Sequence, residues 1–223
     1  MKHTSVWLII PQTNLHVGNE STVNFSVIDK AIQRDVTTSL PCINSSSLKG
    51  AVKEYFEYKE AKNIIDIFGS TKKGGDTQKG SAIFFDATLI AIPEQVTYGN
   101  STYTLRYCEE IVGSLVEKAK LMGIELNKET IINSLGENKS AAETKIFKEL
   151  CSDDNLPIIA RNCLENGESA NLWYEQVLPS QSVLATIFQT KNPNDLDILK
   201  GAIVQIGANA TIGYGYCKFI KLS

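Results

Sequence analysis

The sequence predicts an α+β domain. Short β-favouring runs open the chain, recur in its middle and close it, helical apolar stripes lie between them, and 43% hydrophobic content is enough for a substantial core. At 223 residues the chain is about one and a half times the ~150-residue domain norm, so a single domain over 1–223 carrying long insertions is expected. Ser5 to Ile10, apolar and stopped by Pro11, predicts the first strand. The polar stretch 14–44 has little periodicity, and irregular segments of that length inside a compact domain tend to be functional. Ser45, Ser46 and Ser47 then offer N-caps to a helix whose apolar face is Leu48, Val52, Tyr55 and Phe56, and Asn63 to Phe68 extends it as a second short piece. The Gly- and Lys-rich segment 69–80 is expected to be a mobile loop.

Ser81 to Ile92 resumes as a strand ended by Pro93, and 102–107 predicts another. Ile111, Leu115, Ala119 and Met122 form a helical stripe across 108–123, and 127–150 continues as short helix interrupted at Gly136, so 108–150 reads as a helical insertion. Strands are expected at 171–178 and 183–190. Asn194 then caps a helix with Leu196, Leu199, Ile203 and Ile206 inward, and a last strand runs near 214–221. Without the insertions the order is strand, helix, strand, strand, helix, strand. That is the ferredoxin-like βαββαβ core, the RRM-like topology of RNA-recognition modules. The topology hosts many unrelated activities, and the aromatic strand signature of a standard RNA-recognition motif is absent.

Composition narrows the chemistry. With 22 Lys+Arg against 25 Asp+Glu the chain is not strongly basic, but residues 1–108 carry +1 and 109–223 carry −4, and lysines are densest from Lys49 and Lys53 to Lys79. Acidic residues interleave with them, so a solvated helix face and loop explain that run as well as a binding surface does. No apolar run approaches a membrane span, and the N-terminal apolar run is too short for a signal peptide, so a cytoplasmic location is expected. Cys42, Cys108, Cys151, Cys163 and Cys217 form no CxxC pair and are expected to be free thiols. Only His3 and His16 are available to any histidine-dependent catalysis or metal site.

Two segments carry candidate chemistry. In Gly207 to Gly215 (GANATIGYG) the glycines leave backbone N–H groups uncovered, as in phosphate-binding loops; a helix C-cap at Gly207 and a turn at 213–215 is the plainer reading. Lys49 sits in the first turn of the predicted helix, where its charge opposes the helix dipole. An anion held between the serine-rich N-terminus and Lys49 resolves that conflict, and an exposed lysine without a ligand is the alternative. Asp29, on its residue type alone, is a turn residue.

In order along the chain, LHVG at 15–18, VIDKAIQRD at 27–35, SLPCINSSSLKG at 39–50 and the GANATIGYG loop resemble the repeat-associated mysterious protein (RAMP) superfamily. They are most similar to the repeated backbone subunit of type III CRISPR effector complexes, nearest the Cmr-type, III-B form. FFDATLIAIP and LWYEQVLP also resemble family segments, so the likeness spans nearly the whole chain. The departures are Ser39 where the family has glycine, Asn44 and Ser45 in place of Pro-Gly, and Ala208 in place of the second glycine of the C-terminal loop. The resemblance implies a ribonucleoprotein subunit of antiviral defence, repeated along a CRISPR RNA beside other effector subunits, that holds the guide by its backbone while base pairing reads a single-stranded target RNA. It implies cleavage of that target at regular intervals by an endoribonuclease whose catalytic and metal-binding residue is Asp29, with Mg²⁺ or Mn²⁺ as cofactor. RNA contacts are expected at His16, Arg34, Ser46, Ser47, Lys49, Lys53, Gly207, Thr211, Gly213 and Gly215. His16 equally fits a structural hydrogen-bonding role, and Arg34 can instead pair with Asp35 or a neighbouring subunit. Segment 160–175 resembles the region that forms a protruding thumb hairpin in relatives. The rival reading is a guide-binding subunit of the same kind of complex that no longer cuts.

Overall fold

The computed structural model describes residues 2–18, 28–70, 77–97, 101–166 and 168–223. Strand β1 (His3–Pro11) lies inside the main sheet. Val6 and Leu8 point to one side of it and Trp7 and Ile9 to the other, and all four are fully buried, so the strand is covered on both faces. On the Trp7 side lie α1 (Ser45–Tyr58), α2 (Ile64–Phe68) and α5 (Thr144–Leu150), which contribute Leu48, Val52, Phe56, Ile67, Phe68 and Phe147 to one hydrophobic cluster. On the Val6 side, α3 (Glu109–Leu121) and α4 (Lys128–Ser134) supply Val112, Leu115, Ala119 and Ile131 to a second. Each fully buried Leu or Phe in these layers contributes about 1.5–3 kcal/mol. An aromatic chain from Phe56 through Phe68, Phe84 and Phe188 to Trp7 and Phe219, with centroids 4.8–6.5 Å apart, ties helix to sheet on the first side.

The remaining strands are β2 (Cys42–Ile43), β3 (Ile83–Phe84), β4 (Ala87–Gln95), β5 (Tyr103–Tyr107), β6 (Lys139–Ala141), β7 (Ile158–Glu165), β8 (Glu168–Gln176), β9 (Val183–Thr190), β10 (Ile203–Gln205) and β11 (Tyr216–Lys221). Among the described residues the main sheet runs β10-β11-β1-β9-β4-β5-β6, with β2 paired to β4 and β3 to β9. Along β11, β1, β9 and β4 each strand is antiparallel to its neighbour. β7 and β8 form a separate antiparallel hairpin. The 108–150 segment adds β6 to the sheet edge, parallel to β5, so it is not purely helical. No described helix is long and apolar enough to cross a membrane.

The structure corrects four expectations. The helix expected after Asn194 is a single 3-10 turn, Asp197–Leu199, followed by strand β10. Gly201 at φ +70° breaks the helix, and Gly201 and Phe219 start a ladder in which Ile203 pairs with Lys218. The 81–92 strand is two, because Asp86 leaves the ladder and its carboxylate accepts from the Ser45 N–H at 2.6 Å. That contact replaces the expected serine cap: Asn44 is the N-cap residue, it makes no side-chain cap bond, and the three serines lie inside α1. Pro93 does not end β4, since pairing with β9 stops at Ala91 and Pro93 faces only Leu105 of β5, where a missing N–H is tolerated. Within the expected 69–80 loop, residues 71–76 lie outside the described residues, as do 19–27 of the 14–44 segment.

Candidate nucleic-acid interface

The foot of the β7–β8 hairpin gathers three segments that are remote in sequence. Leu15 pairs with Leu178 and Lys30 bridges to Glu175, so two parts of the 14–44 segment dock on β8 and the residues just after it. The Asp29 N–H and the Lys30 N–H both donate to the Tyr174 carbonyl, at 3.0 and 3.1 Å, and the Tyr174 N–H donates back to Asp29 Oδ2 at 2.7 Å. Asp29 is thereby fixed on β8 while remaining exposed, with Oδ1 left for another partner.

His16 is 3% exposed. Its Nδ1 donates to the Gln176 carbonyl at 2.7 Å, since a carbonyl can only accept, and Nε2 faces Glu175 Oε1 at 3.6 Å. Glu175, 1% exposed, accepts from Asn209 at 2.8 Å through its other oxygen. The ring therefore joins three loops from the inside and presents almost no surface to an RNA strand. Arg34 is likewise a staple. It donates to the Ser39 and Cys151 carbonyls, each at 2.8 Å, and pairs with Asp153 at 2.7 Å rather than with Asp35. Burial opposes ionisation of Asp153, but the hydrogen bond from Gln176 and the Arg34 guanidinium outweigh it and hold the carboxyl below the usual range. Asp35 is lowered against the same burial by hydrogen bonds from Thr38 and Thr37.

The glycine-rich loop divides by position. Gly207 and Gly215 are packing glycines: both have positive φ, and a Cβ would be driven into the His16 and Ile206 carbonyl oxygens respectively. Gly215 also donates to Asn14 and accepts from Ile206, so its backbone is already spent. The helix for which Gly207 was the expected C-cap is absent, and it follows β10 instead. Thr211 and Gly213 are on the outer rim; Thr211 is exposed in a 3-10 turn and Gly213 has open space around it. At the other side of the site Gln33 couples the Asp29 segment to the start of α1, since its side chain accepts from the Asn44 N–H and donates to Ser47 Oγ. Ser46 is exposed, and Lys49 takes part in no ion pair with a described residue. Lys53, one turn on, pairs with Glu57 at 3.6 Å.

Four residues at this foot were not singled out from the sequence. Arg161 of β7 lies between the rings of Trp173 and Tyr214, 6.0 and 5.9 Å from their centroids, and Lys30 sits 4.9 Å from the Trp173 ring centre. Nothing in their spacing signals this meeting. The described residues contain no group of three or more His, Cys, Asp or Glu able to hold a metal ion.

The chain is 25% identical over 272 residues to the CRISPR system Cmr endoribonuclease Cmr4 of Pyrococcus furiosus, spanning 92% of this chain and 91% of that protein. In three dimensions it resembles a chain of the type III-B Cmr-beta structure bound to cognate target RNA, with TM-score 0.77, 18% identity and 99% of this chain and 97% of that chain covered. It also resembles oligomeric Cmr4 from Pyrococcus furiosus, with TM-score 0.73, 18% identity and 100% of both chains covered. The RAMP superfamily profile matches residues 9–218, and the chain belongs to that superfamily.

Proposed function

We propose that this chain is a backbone subunit of a type III-B CRISPR effector complex, that it lines up in copies along a CRISPR RNA beside other effector subunits, and that it cleaves target RNA. The observation that carries the reading is the family match over 9–218, together with full-length similarity to a protein named as the Cmr endoribonuclease. The four antiparallel strands β11, β1, β9 and β4 serve as a ferredoxin-like core whose second helix is reduced to one 3-10 turn.

In this reading the rim of the glycine loop at Thr211 and Gly213, and the α1 start at Ser46, Ser47 and Lys49, hold guide phosphates. Gly207, Gly215, His16 and Arg34 act behind them by fixing the loops. Asp29 is the cleavage residue. RNA cleavage through its own 2′-hydroxyl needs in-line geometry, help in removing that proton and stabilisation of phosphoryl charge. The Tyr174 N–H orients one carboxylate oxygen and leaves Oδ1 for the hydroxyl proton or for a Mg²⁺ or Mn²⁺ ion, which when bound supplies charge stabilisation. The same hydrogen bond supports a second reading, in which Asp29 only anchors its loop to β8 and the subunit holds RNA without cutting. The hairpin of β7 and β8 is a candidate thumb. End-group analysis of the products tests the chemistry: a 2′,3′-cyclic phosphate and a 5′-hydroxyl are expected, and cleavage undiminished by 2′-deoxy substitution at the cut site rejects it.

A further inference from the structure

The Lys30–Trp173–Arg161 stack is the least explained feature of the surface. Two cations from different segments lie within 4.9 and 6.0 Å of one indole ring. Neither forms an ion pair with a described carboxylate. Two like charges gathered on one ring repel each other, and cation–π attraction, worth about 0.5–1 kcal/mol at exposed sites, holds them there without neutralising either. An anion between or beside them removes the conflict. Arg161 also lies 5.9 Å from the Tyr214 ring centroid, so two rings position its charge before any ligand arrives. Trp173 and Tyr174 are adjacent on β8, and the backbone of Tyr174 is what fixes Asp29, next in sequence to Lys30.

We infer that Lys30 and Arg161, seated on Trp173, form a binding site for a phosphate of the target RNA strand beside the Asp29 carboxylate. This rests on the reading of Asp29 as the cleavage residue and gives that residue a partner of opposite charge. An isolated carboxylate repels phosphate; Lys30, next to Asp29 in sequence, and Arg161, paired with Trp173 across the hairpin, bring the strand to it with positive charge. The indole and phenol rings give the site its rigidity, so its loss should reach affinity and rate together.

The test uses the assembled guide-containing complex. Target affinity is measured across salt concentrations in an Asp29→Asn background, so that no substrate is consumed, with Lys30→Ala and Arg161→Ala added singly. Each lost phosphate contact should lower the slope of log affinity against log salt by about 0.7–0.9. Arg161→Lys should restore the slope, and thermal melts of the same complexes should stay within a few degrees of the parent. An unchanged slope in both alanine variants overturns the inference, as does a slope that falls only together with the melting temperature. Undiminished cleavage by the Asp29→Asn complex overturns the reading beneath it, and that outcome is separate from the slopes.

Discussion

Gly213 and Gly215 lie two residues apart with nearly the same backbone, φ +85° and +77°, yet alanine should cost unequal amounts at the two positions. At Gly213 a Cβ meets nothing within 4 Å, so Gly213→Ala carries only the left-handed backbone penalty of roughly 1–2 kcal/mol. Gly215→Ala carries that penalty and also pushes a Cβ into the Ile206 carbonyl oxygen. Relief requires the loop to move away from the Gly215 N–H to Asn14 bond and the Ile206 N–H to Gly215 bond, each 2.8 Å. Losing both adds about 1 kcal/mol apiece, for a total of about 3–4 kcal/mol. In a chain of this size each kcal/mol shifts Tm by roughly 2–4 °C. Thermal melts of the purified variants should therefore show Gly215→Ala falling about 10 °C and Gly213→Ala about 4 °C. Equal losses would refute the division of the loop into a packed base and an open rim. The same division predicts that Gly213→Val leaves the protein folded but impairs guide binding, and normal RNA retention with a lowered Tm would reduce Gly213 to a turn residue.

Lys49→Ala should weaken guide binding alike for all sequences and lower the salt slope by about one unit; an unchanged slope removes Lys49 from the phosphate contacts. The folded-state carboxyls of Asp35 and Asp153 lie below their unfolded range, so the stability they confer is complete above that range and fades as pH falls below about 4. The stability difference between wild type and Arg34→Met should accordingly shrink from about pH 5 to about pH 3, and a constant difference would show that the Asp153 pair contributes nothing. Burial pushes the Cys42 thiol up to about 11 and those of Cys151 and Cys217 up to about 12, Cys108 is buried, and Cys163 is exposed. Iodoacetamide at neutral pH should label Cys163 alone in the folded protein and all five cysteines after unfolding; early loss of a second thiol contradicts the buried placements.

Local pattern made some elements legible and left others hidden. The spacing of Leu48, Val52 and Phe56 announced α1 because an amphipathic helix writes its own period into the chain. In α3 Leu115 and Ala119 are buried as the stripe predicts, whereas Ile111 and Met122 are half-buried and Val112 takes the fully buried place in the first turn. At 196–206 the apolar positions fit a helix as well as a strand; Gly201 at positive φ ends the turn, and the edge of β11 that takes up Ile203–Gln205 is what no local pattern reports. The site was hidden for the same reason. Motif order pointed to the segments at 15–18, 27–35, 39–50 and 207–215, but not to the buried His16, Glu175 and Asn209 contacts that join them. Nor could the sequence assign Gly207 and Gly215 to packing and Gly213 to the rim, since that depends on where His16 and Ile206 place their carbonyls.

Whether this subunit cuts target RNA through Asp29 is decided by one gel. The assembled guide complex, wild type or Asp29→Asn, is mixed with end-labelled target RNA and the products are resolved at single-nucleotide resolution, with target binding measured in parallel. Wild type should give regularly spaced cuts and Asp29→Asn should lose them, with binding intact or slightly tighter because a charge that repels phosphate has gone. The same ladder at undiminished intensity from Asp29→Asn would contradict cleavage through Asp29.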